Sequence, residues 1–339
     1  MNKHTCRALA IILLIAALLC LFSCDSLPEP KSKTLSFTYF DTVSTLYDYS
    51  GLNNSEFTKL CENVKKSLQK HHELFDIYNE YPDLVNLATI NNLAGKGPIR
   101  VKKEIIELLL YSKEMYSLTG GKINVAFGSV LKIWHDYRTN GTEVPDIAIL
   151  KEAALHTDIN DLIIDEENLT VELSDPLMSL DVGAIAKGYA VEMIAKELEE
   201  GGFSHTVIDV GGNLRAIGAK KDGSGWKSGV KNPKDKNGEY VYFHNLKNEA
   251  MSTSGGYERF YTVNEVRYHH IINPDTLMPE NYYLSVTVIA PSSALSDSLS
   301  TAVFNMNYDD AELFAKKLQN VKIILVLPSG EVKELCADE

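Results

Sequence analysis

One stretch of the sequence turns from a short apolar segment through a glycine into a helix, and it reads Leu180-Asp181-Val182-Gly183-Ala184-Ile185-Ala186-Lys187-Gly188-Tyr189-Ala190. We predict a helix over Ala184–Glu199, and the following Gly201-Gly202 is typical of a helix C-terminus. Free N–H groups at the start of this helix, together with the side chain of Lys187, would suit a phosphate. A plain amphipathic helix whose glycines allow close packing fits these residues as well.

Outward from this stretch, strands follow one another between a few long helices instead of alternating strictly with them. This order favours an α+β domain with a largely antiparallel sheet. The other predicted helices are Ser55–Leu74, Lys102–Leu118, Ile147–His156 and Asp309–Leu318. The predicted strands are Leu35–Tyr47, Asp161–Asp165, Thr170–Leu173, Thr206–Val210, Arg215–Ala219, Glu239–Asn245, Arg259–Val263, Arg267–Ile272, Leu284–Ile289 and Lys322–Pro328.

The composition is that of a globular protein, because 45% of the 339 residues are hydrophobic and 23% are charged. The length allows one large or two ordinary domains. The formal net charge of -13 argues against nucleic-acid binding, since no surplus of cationic side chains is available to displace counterions. An anionic ligand would need a local exception, such as a metal ion or a few lysines and helix N-termini.

The N-terminus has the features of a secretion signal. Lys3 and Arg7 precede an unbroken apolar run of 15 residues, Ala8–Phe22, which is shorter than the roughly 20 residues needed to span a bilayer. The run closes in Leu21-Phe22-Ser23-Cys24, which resembles the bacterial lipobox, where cleavage leaves a cysteine that carries lipid. We therefore predict that Cys24 is lipidated.

A lipidated Cys24 would anchor the protein to the cell membrane on its extracytoplasmic face. In a cell with two membranes, Asp25 resembles the signal for retention at the periplasmic side of the inner membrane. We divide the chain into a lipoprotein signal peptide at residues 1–23, a tether at 24–35 and a folded domain at 36–339. The remaining Cys61 and Cys336 could form a disulfide or be two buried thiols, and their spacing does not suggest zinc.

A second candidate site lies in the serine-rich stretch Ser296–Thr301. Asp297 and Thr301 are four residues apart and would share one face of a helix. Magnesium usually keeps several waters and takes only one or two protein oxygens when substrate phosphates complete its coordination. An N-terminal capping cluster fits the same residues.

The third segment, Met251–Arg259, is predicted to be a polar turn between strands, where small residues bring backbone donors close to a ligand. His270 follows at a strand end, where a histidine can act as an acid or a base near neutral pH. A hairpin turn with one exposed histidine is the alternative. The sequence contains no Walker A loop, no dinucleotide fingerprint, no His-Glu-x-x-His and no Gly-x-Ser-x-Gly, so these catalytic classes are excluded.

Taken in order, six segments resemble the ApbE family of FAD:protein FMN transferases between about Phe37 and Leu327. They are Asp41-Thr42-Val43; Phe75–Tyr78 leading to Ile90-Asn91; Leu118–Gly121 leading to Leu131–Trp134; Leu180–Ala190; Val210–Asn213; and Ser252–Gly255 through His270 to Asp297 and Thr301. The resemblance implies an α+β, T-fold-like flavin transferase domain with largely antiparallel sheets and packed helices.

The same resemblance implies how FAD and Mg²⁺ are held. The metal would meet the FAD pyrophosphate and be bound by the carbonyl of Ala184 and by Asp297 and Thr301, with Lys187 beside the phosphates. The implied contacts to FAD are Thr42, Tyr78, Lys122, Ile123, Asn124, Asp181, Lys187 and Ile271. The chain departs from the family at Asn124, where the family usually has an aspartate, and at Leu277, where it usually has the glycine of a Pro-x-x-Gly turn.

The reaction implied by the resemblance transfers FMN to a Ser or Thr hydroxyl of an extracytoplasmic flavoprotein acceptor and releases AMP. His270 is the candidate catalytic base, and Asp181 is the alternative. Two other functions stay open, a Mg²⁺-dependent FAD pyrophosphatase and a non-catalytic flavin-binding lipoprotein. Tyr78 favours the transferase, since the family members that hydrolyse FAD most readily lack this tyrosine.

Overall fold

The computed structural model describes residues 32–235 and 238–337, and the chain from Lys33 onward forms one unit. The predicted signal peptide, Cys24 and the tether up to residue 31 lie outside the described residues. The first strand begins at Lys33, so residues 33–35, which we expected in the tether, belong to the fold. No helix of the described part is long and apolar enough to cross a membrane.

The predicted α+β class with a largely antiparallel sheet is confirmed. The strands are β1 (Lys33–Tyr39), β2 (Thr42–Asp48), β3 (Ile99–Arg100), β4 (Leu162–Asp165), β5 (Thr170–Leu173), β6 (His205–Val210), β7 (Asn213–Gly218), β8 (Trp226–Lys231), β9 (Tyr240–Leu246), β10 (Ala250–Gly255), β11 (Phe260–Val263), β12 (Val266–His269), β13 (Ser285–Ala290), β14 (Lys322–Val326) and β15 (Val332–Cys336). Eight of them form the main antiparallel sheet in the order β1-β2-β6-β7-β10-β13-β14-β15.

The described residues contain eight α-helices, and some of them pack against one face of the main sheet. The eight helices are α1 (Asn54–Phe75), α2 (Leu87–Asn92), α3 (Lys103–Leu118), α4 (Gly128–Asn140), α5 (Ile147–Ala154), α6 (Ala186–Glu200), α7 (Ser293–Phe304) and α8 (Tyr308–Ala315), with a 3₁₀ turn at Ile159–Asp161. The smaller sheets are β3-β5-β4, β8-β9 and β11-β12.

The two faces of the main sheet are covered differently, as the alternation of side chains in a strand requires. On one face, Ile208 of β6 and Ile217 of β7 pack in a buried cluster with Val64 of α1 and Ile194 of α6. On the opposite face, neighbouring positions of the same strands, Val207 and Ala216, pack under Trp226 and Leu246 of the β8–β9 hairpin.

The main sheet is open between β7 and β10. These strands pair only at Arg215–Ala250 and Leu214–Met251, whereas β10 pairs with β13 along its whole length to Gly255. Beyond Met251 the two strands no longer pair, and the turn between β6 and β7 lines one cavity together with residues 253–255 of β10. The candidate site lies at this gap between β7 and β10.

Two sequence predictions of local structure are wrong. The single strand expected at Leu35–Tyr47 is a hairpin of β1 and β2, because Phe40 and Asp41 turn the chain with positive φ of 52° and 54°. The polar turn expected at Met251–Arg259 is the inner strand β10 as far as Gly255, and only residues 256–259 turn toward β11. The hydroxyls of β10 have partners on neighbouring elements, for example Thr253 Oγ1 with Thr287 Oγ1 at 2.8 Å, so a polar segment can be buried.

Candidate active site

The twelve residues proposed from the sequence for binding and catalysis all line one cavity of about 860 Å³ at the open end of the main sheet. They come from strands, helix starts and loops that are far apart along the chain. They are Thr42, Tyr78, Lys122, Ile123, Asn124, Asp181, Ala184, Lys187, His270, Ile271, Asp297 and Thr301. A cavity of this size lies within the usual range for small-molecule sites.

The start of α6 lacks one of its own hydrogen bonds. The Gly188 N–H would ordinarily donate to the carbonyl of Ala184, four residues earlier, but it donates to Oδ2 of Asp297 at 2.8 Å. Within the described chain, no hydrogen bond reaches the Ala184 carbonyl. Only glycine allows this contact, because a Cβ at position 188 would lie 2.3 Å from Asp297 Cβ and 2.4 Å from the Ser293 carbonyl oxygen.

Asp297 and Thr301 occupy successive turns of α7 and face the same cavity. The N-cap of α7 is Ser292, whose side chain accepts from the Leu295 N–H, so the alternative of a capping role does not describe Asp297. Burial raises the pKa of the Asp297 carboxyl, while nearby Lys187 opposes this shift. A bound cation would stabilise the carboxylate in this dry position.

The donor set around Asp297 fits a small hard cation. A carbonyl, a carboxylate and a hydroxyl are oxygen ligands of the kind that Mg²⁺ prefers. The Thr301 Oγ1 lies 3.1 Å from Ser254 Oγ, which holds the hydroxyl in place. Asn213 is buried next to Asp297 and lines the cavity, and its Nδ2 has no hydrogen-bond partner of normal geometry. In the described residues, no group of three or more His, Cys, Asp or Glu could hold a metal, so this mixed set is the candidate.

The cavity concentrates positive charge in an acidic chain. Lys187 lies in the first turn of α6, and its Nζ donates to the Gly183 carbonyl at 3.3 Å. Arg138, in the last turn of α4, and Arg259, just before β11, line the same cavity. Sequence analysis assigned neither arginine a role, because α4 was not predicted and Arg259 was only the last residue of the segment Met251–Arg259. Together with Lys122, Lys227 and Lys231, which line the same cavity, these three cations provide the local exception that an anionic ligand requires.

His270 follows β12 at the edge of the cavity, as expected. Its Nδ1 lies 3.3 Å from the Arg259 carbonyl, so the proton of the neutral ring belongs on Nδ1, and Nε2 is left to accept a proton. Burial and the charges of Arg259, Arg138 and Lys187 lower the pKa of His270 to about 3. The imidazole is therefore neutral at physiological pH, and its Nε2 is open to a proton, but so low a pKa makes the ring a weak base.

Asp181, the alternative base, precedes α6 and is half-buried in the same cavity. Its Oδ1 accepts from the Gly183 N–H at 2.8 Å, and burial raises the pKa of the carboxyl. Lys187 and Arg138 oppose that shift. Both His270 and Asp181 are thus placed to take a proton.

Tyr78 and the loop at Asn124 have different roles at the cavity wall. The Tyr78 side chain is 64% exposed, and Asp76 Oδ1 fixes its backbone by accepting from the Tyr78 N–H at 2.7 Å. Its ring lies 5.5 Å from that of His135 and offers a face for stacking on a flat ligand. The Asn124 amide instead bonds within the protein: its Nδ2 donates to the Thr157 carbonyl of another loop, and its Oδ1 accepts from the Ala126 N–H, both at 2.9 Å.

The two cysteines whose pairing was open from the sequence are free thiols. Cys61 is buried in α1, and Cys336 is exposed at the end of β15. They take no part in the cavity.

Comparisons with known proteins converge on one family. The model of the ApbE family matches residues 40–325. A protein of Treponema pallidum named FAD:protein FMN transferase is 28% identical, and the alignment covers 98% of this chain and 94% of the relative. A protein of Haemophilus influenzae with the same name is 26% identical, with 93% and 92% covered.

Solved structures agree with this likeness. The crystal structure of the ApbE protein from Thermotoga maritima has a TM-score of 0.79 and 26% identity, covering 90% of this chain and 97% of that one. The flavin transferase ApbE from Vibrio cholerae has a TM-score of 0.75 and 23% identity, covering 91% and 98%. The second likeness, at its low identity, concerns the fold alone.

Proposed function

This chain belongs to the ApbE family, and on that premise we propose that it is a Mg²⁺-dependent FAD:protein FMN transferase. The relatives that carry this name align with nearly the whole chain, and the residues of the candidate site lie within the range 40–325 that the family model matches. The reaction would move FMN from FAD to a Ser or Thr hydroxyl of an acceptor flavoprotein and release AMP.

The observation that carries the proposal is the unpartnered carbonyl of Ala184 beside Asp297 and Thr301. These three oxygens would hold Mg²⁺, and a helix start with Lys187 lies next to them to receive the pyrophosphate. When bound, the metal neutralises charge on the phosphate oxygens and orients them for displacement. Lys187, Arg138 and Arg259 add positive charge where the departing AMP phosphate becomes more negative.

The proton of the acceptor hydroxyl must leave as the new bond forms. The hydroxyl oxygen attacks the phosphorus of the FMN half, the bond to the bridging oxygen breaks, and AMP departs with that oxygen. Nε2 of His270 is the first candidate to accept the proton, and the carboxylate of Asp181 is the second. Tyr78 would stack on a ring of FAD at the cavity wall.

The location of the protein is part of the proposal. We expect a lipid on Cys24 to anchor the chain to the cell membrane on its extracytoplasmic face, where the acceptor flavoprotein would also lie. In a cell with two membranes this is the periplasmic side of the inner membrane.

The test is an assay of the full chain in detergent with FAD, Mg²⁺ and a candidate flavoprotein acceptor. We expect the acceptor to gain the mass of one FMN while AMP appears in step. Asp297→Ala should reduce transfer by a factor of about 10² or more, because it removes the carboxylate from the metal site. Asp309→Ala, at an exposed position of α8, is the matched control and should transfer normally.

Two other outcomes of this assay would favour a different function, and a third would contradict the metal site. AMP release without a change in acceptor mass, across several acceptors, would indicate an FAD pyrophosphatase. Bound flavin without AMP would indicate a flavin-binding lipoprotein. Unchanged transfer by Asp297→Ala would contradict the metal site.

A further inference from the structure

The cavity continues beyond the candidate site onto the other face of the main sheet. There it is bordered by Tyr47, Asp209 and Met251 of the sheet, and by Trp226–Gly229, Lys231 and Tyr240 of the β8–β9 hairpin. We call this part the hairpin lobe. It joins the candidate site beside the turn between β6 and β7, where Gly211 and Gly212 carry no side chains to close the passage.

The backbone of β8 borders the hairpin lobe. Side chains of a strand alternate between two faces, yet four consecutive residues, Trp226–Gly229, line the lobe, so main-chain atoms of β8 as well as side chains line it. Among the described residues β8 pairs with β9 alone. A strand edge without a partner is a template for another extended chain, which adds main-chain hydrogen bonds to it.

The hairpin is basic, although the whole chain is acidic. Residues 220–249 contain seven lysines and four acidic residues, in a protein of net charge -13. Lys227 and Lys231 are exposed and border the hairpin lobe. This local charge fits an acidic partner and would oppose a basic one.

Exposed aromatic rings accompany these lysines on the outside of the hairpin. Tyr240 is 49% exposed and Phe243 is 51% exposed, and their ring centroids are 5.5 Å apart. The Lys227 Nζ lies 4.0 Å from the centre of the Phe243 ring. Aromatic side chains are enriched at protein interfaces, and here they adjoin the mouth of a cavity.

We propose that the hairpin lobe receives the acceptor protein, whose extended, acidic segment pairs with the free edge of β8 and carries its Ser or Thr hydroxyl to the metal site. This inference rests on the proposed transferase function and adds the surface that recognises the acceptor. The segment must be thin and extended, because its hydroxyl has to pass the β6–β7 turn to reach the phosphorus. No reactant beyond those of the transfer is required.

The experiment uses the full chain and the acceptor flavoprotein that wild type modifies in the assay above. Lys227→Glu combined with Lys231→Glu should raise the acceptor KM at least tenfold, with kcat and the Kd for FAD within twofold of wild type. Lys234→Glu combined with Lys247→Glu changes the same charge at exposed hairpin positions outside the lobe and should leave KM unchanged. Salt should raise the acceptor KM of wild type more than that of the first variant.

The position of the acceptor is checked by amide hydrogen exchange. A peptide that spans the modified hydroxyl of that acceptor should slow exchange in residues 226–231. Protection elsewhere with β8 unaffected, or an equal KM in both variant pairs, would overturn the inference. A large change in the Kd for FAD would assign the lobe to the flavin ring instead. If wild type modifies no acceptor, the proposed function itself fails, which is a different result.

Discussion

At the scale of single residues, the candidate site depends on a few groups whose surroundings make them unusual. The sequence identified His270, Lys187 and Asp297, because a histidine at a strand end or a lysine at a helix start has a chemical meaning within its own segment, and the family resemblance added Asp181. It could not identify Arg138 or Arg259, since their place beside His270 follows only from long-range packing. Nor could it show that the amide of Asn124 bonds to the backbone of Ala126 and Thr157.

The low pKa of His270 leads to a prediction about pH. The ordinary value is 6.5 and the folded value is about 3, so between these values the unfolded chain binds a proton that the native chain does not. The neutral ring therefore stabilises the fold above pH 6.5, and this contribution is lost as pH falls toward 3. We expect NMR titration to find the His270 imidazole still neutral at pH 5, and a midpoint near 6.5 would contradict this.

The control for this titration is a comparison of stabilities. His71 and His269 also have lowered pKa values because they are buried, so wild type will lose stability in acid for several reasons. His270→Asn removes one of them. The free energy of unfolding of this variant should fall less steeply than that of wild type between pH 6.5 and pH 4.5.

At the scale of elements, the sequence predicted helices whose pattern lies within one segment. It missed a strand whose polar side chains form hydrogen bonds with elements far away in the chain. Helix α6 was predicted because its apolar spacing and terminal glycines lie within the segment itself. Strand β10 was mistaken for a turn, because its serines and threonine are polar and their partners lie on β13 and α7. The same contacts hold α7, and with it Asp297, against the sheet.

A buried pair of hydroxyls between β10 and α7 leads to a prediction about stability. Ser252 Oγ and Ser296 Oγ are 2.7 Å apart, and both residues are fully buried. Ser252→Ala should destabilise the protein by about 1–2 kcal/mol, because it leaves a buried hydroxyl without this partner. Adding Ser296→Ala should recover part of the loss, since the hydroxyl that then bonds only to the Ser293 carbonyl, at 3.2 Å, is absent. Denaturant unfolding of the two single variants and the double variant measures the coupling, and strict additivity would contradict it.

At the scale of the whole molecule, the site is assembled from residues between Thr42 and Thr301, and only the fold brings them together. The order of motifs was enough for the sequence to resemble one family and to predict an α+β domain. It was not enough to predict the opening between β7 and β10 or the hairpin lobe, because strand separation depends on which residues pair, and pairing leaves no local pattern.

Membrane attachment is the prediction that concerns the whole chain. Cys24→Ala should abolish the incorporation of labelled palmitate into the protein and leave the apolar run Ala8–Phe22 uncleaved, because the lipid would have no attachment point. Cys20→Ala lies within the apolar run before the cleavage site and is the matched control, which should be labelled as wild type is. Labelling of cells followed by immunoprecipitation gives the answer, and a Cys24→Ala protein that still takes up label would refute the anchor.

The opening of the main sheet divides it into two halves of similar design. β1, β2, β6 and β7 form one antiparallel half that packs against α6, and β10, β13, β14 and β15 form another that packs against α7. Each half follows the order strand, strand, helix, strand, strand, and the halves share two residue pairs. The carbonyl of Ala184 comes from the first half and the carboxylate of Asp297 from the second. The site thus exists only where the two halves associate, as in a dimer built from one chain. A cut at the β8–β9 hairpin would give two separate halves, and neither would contain the whole site.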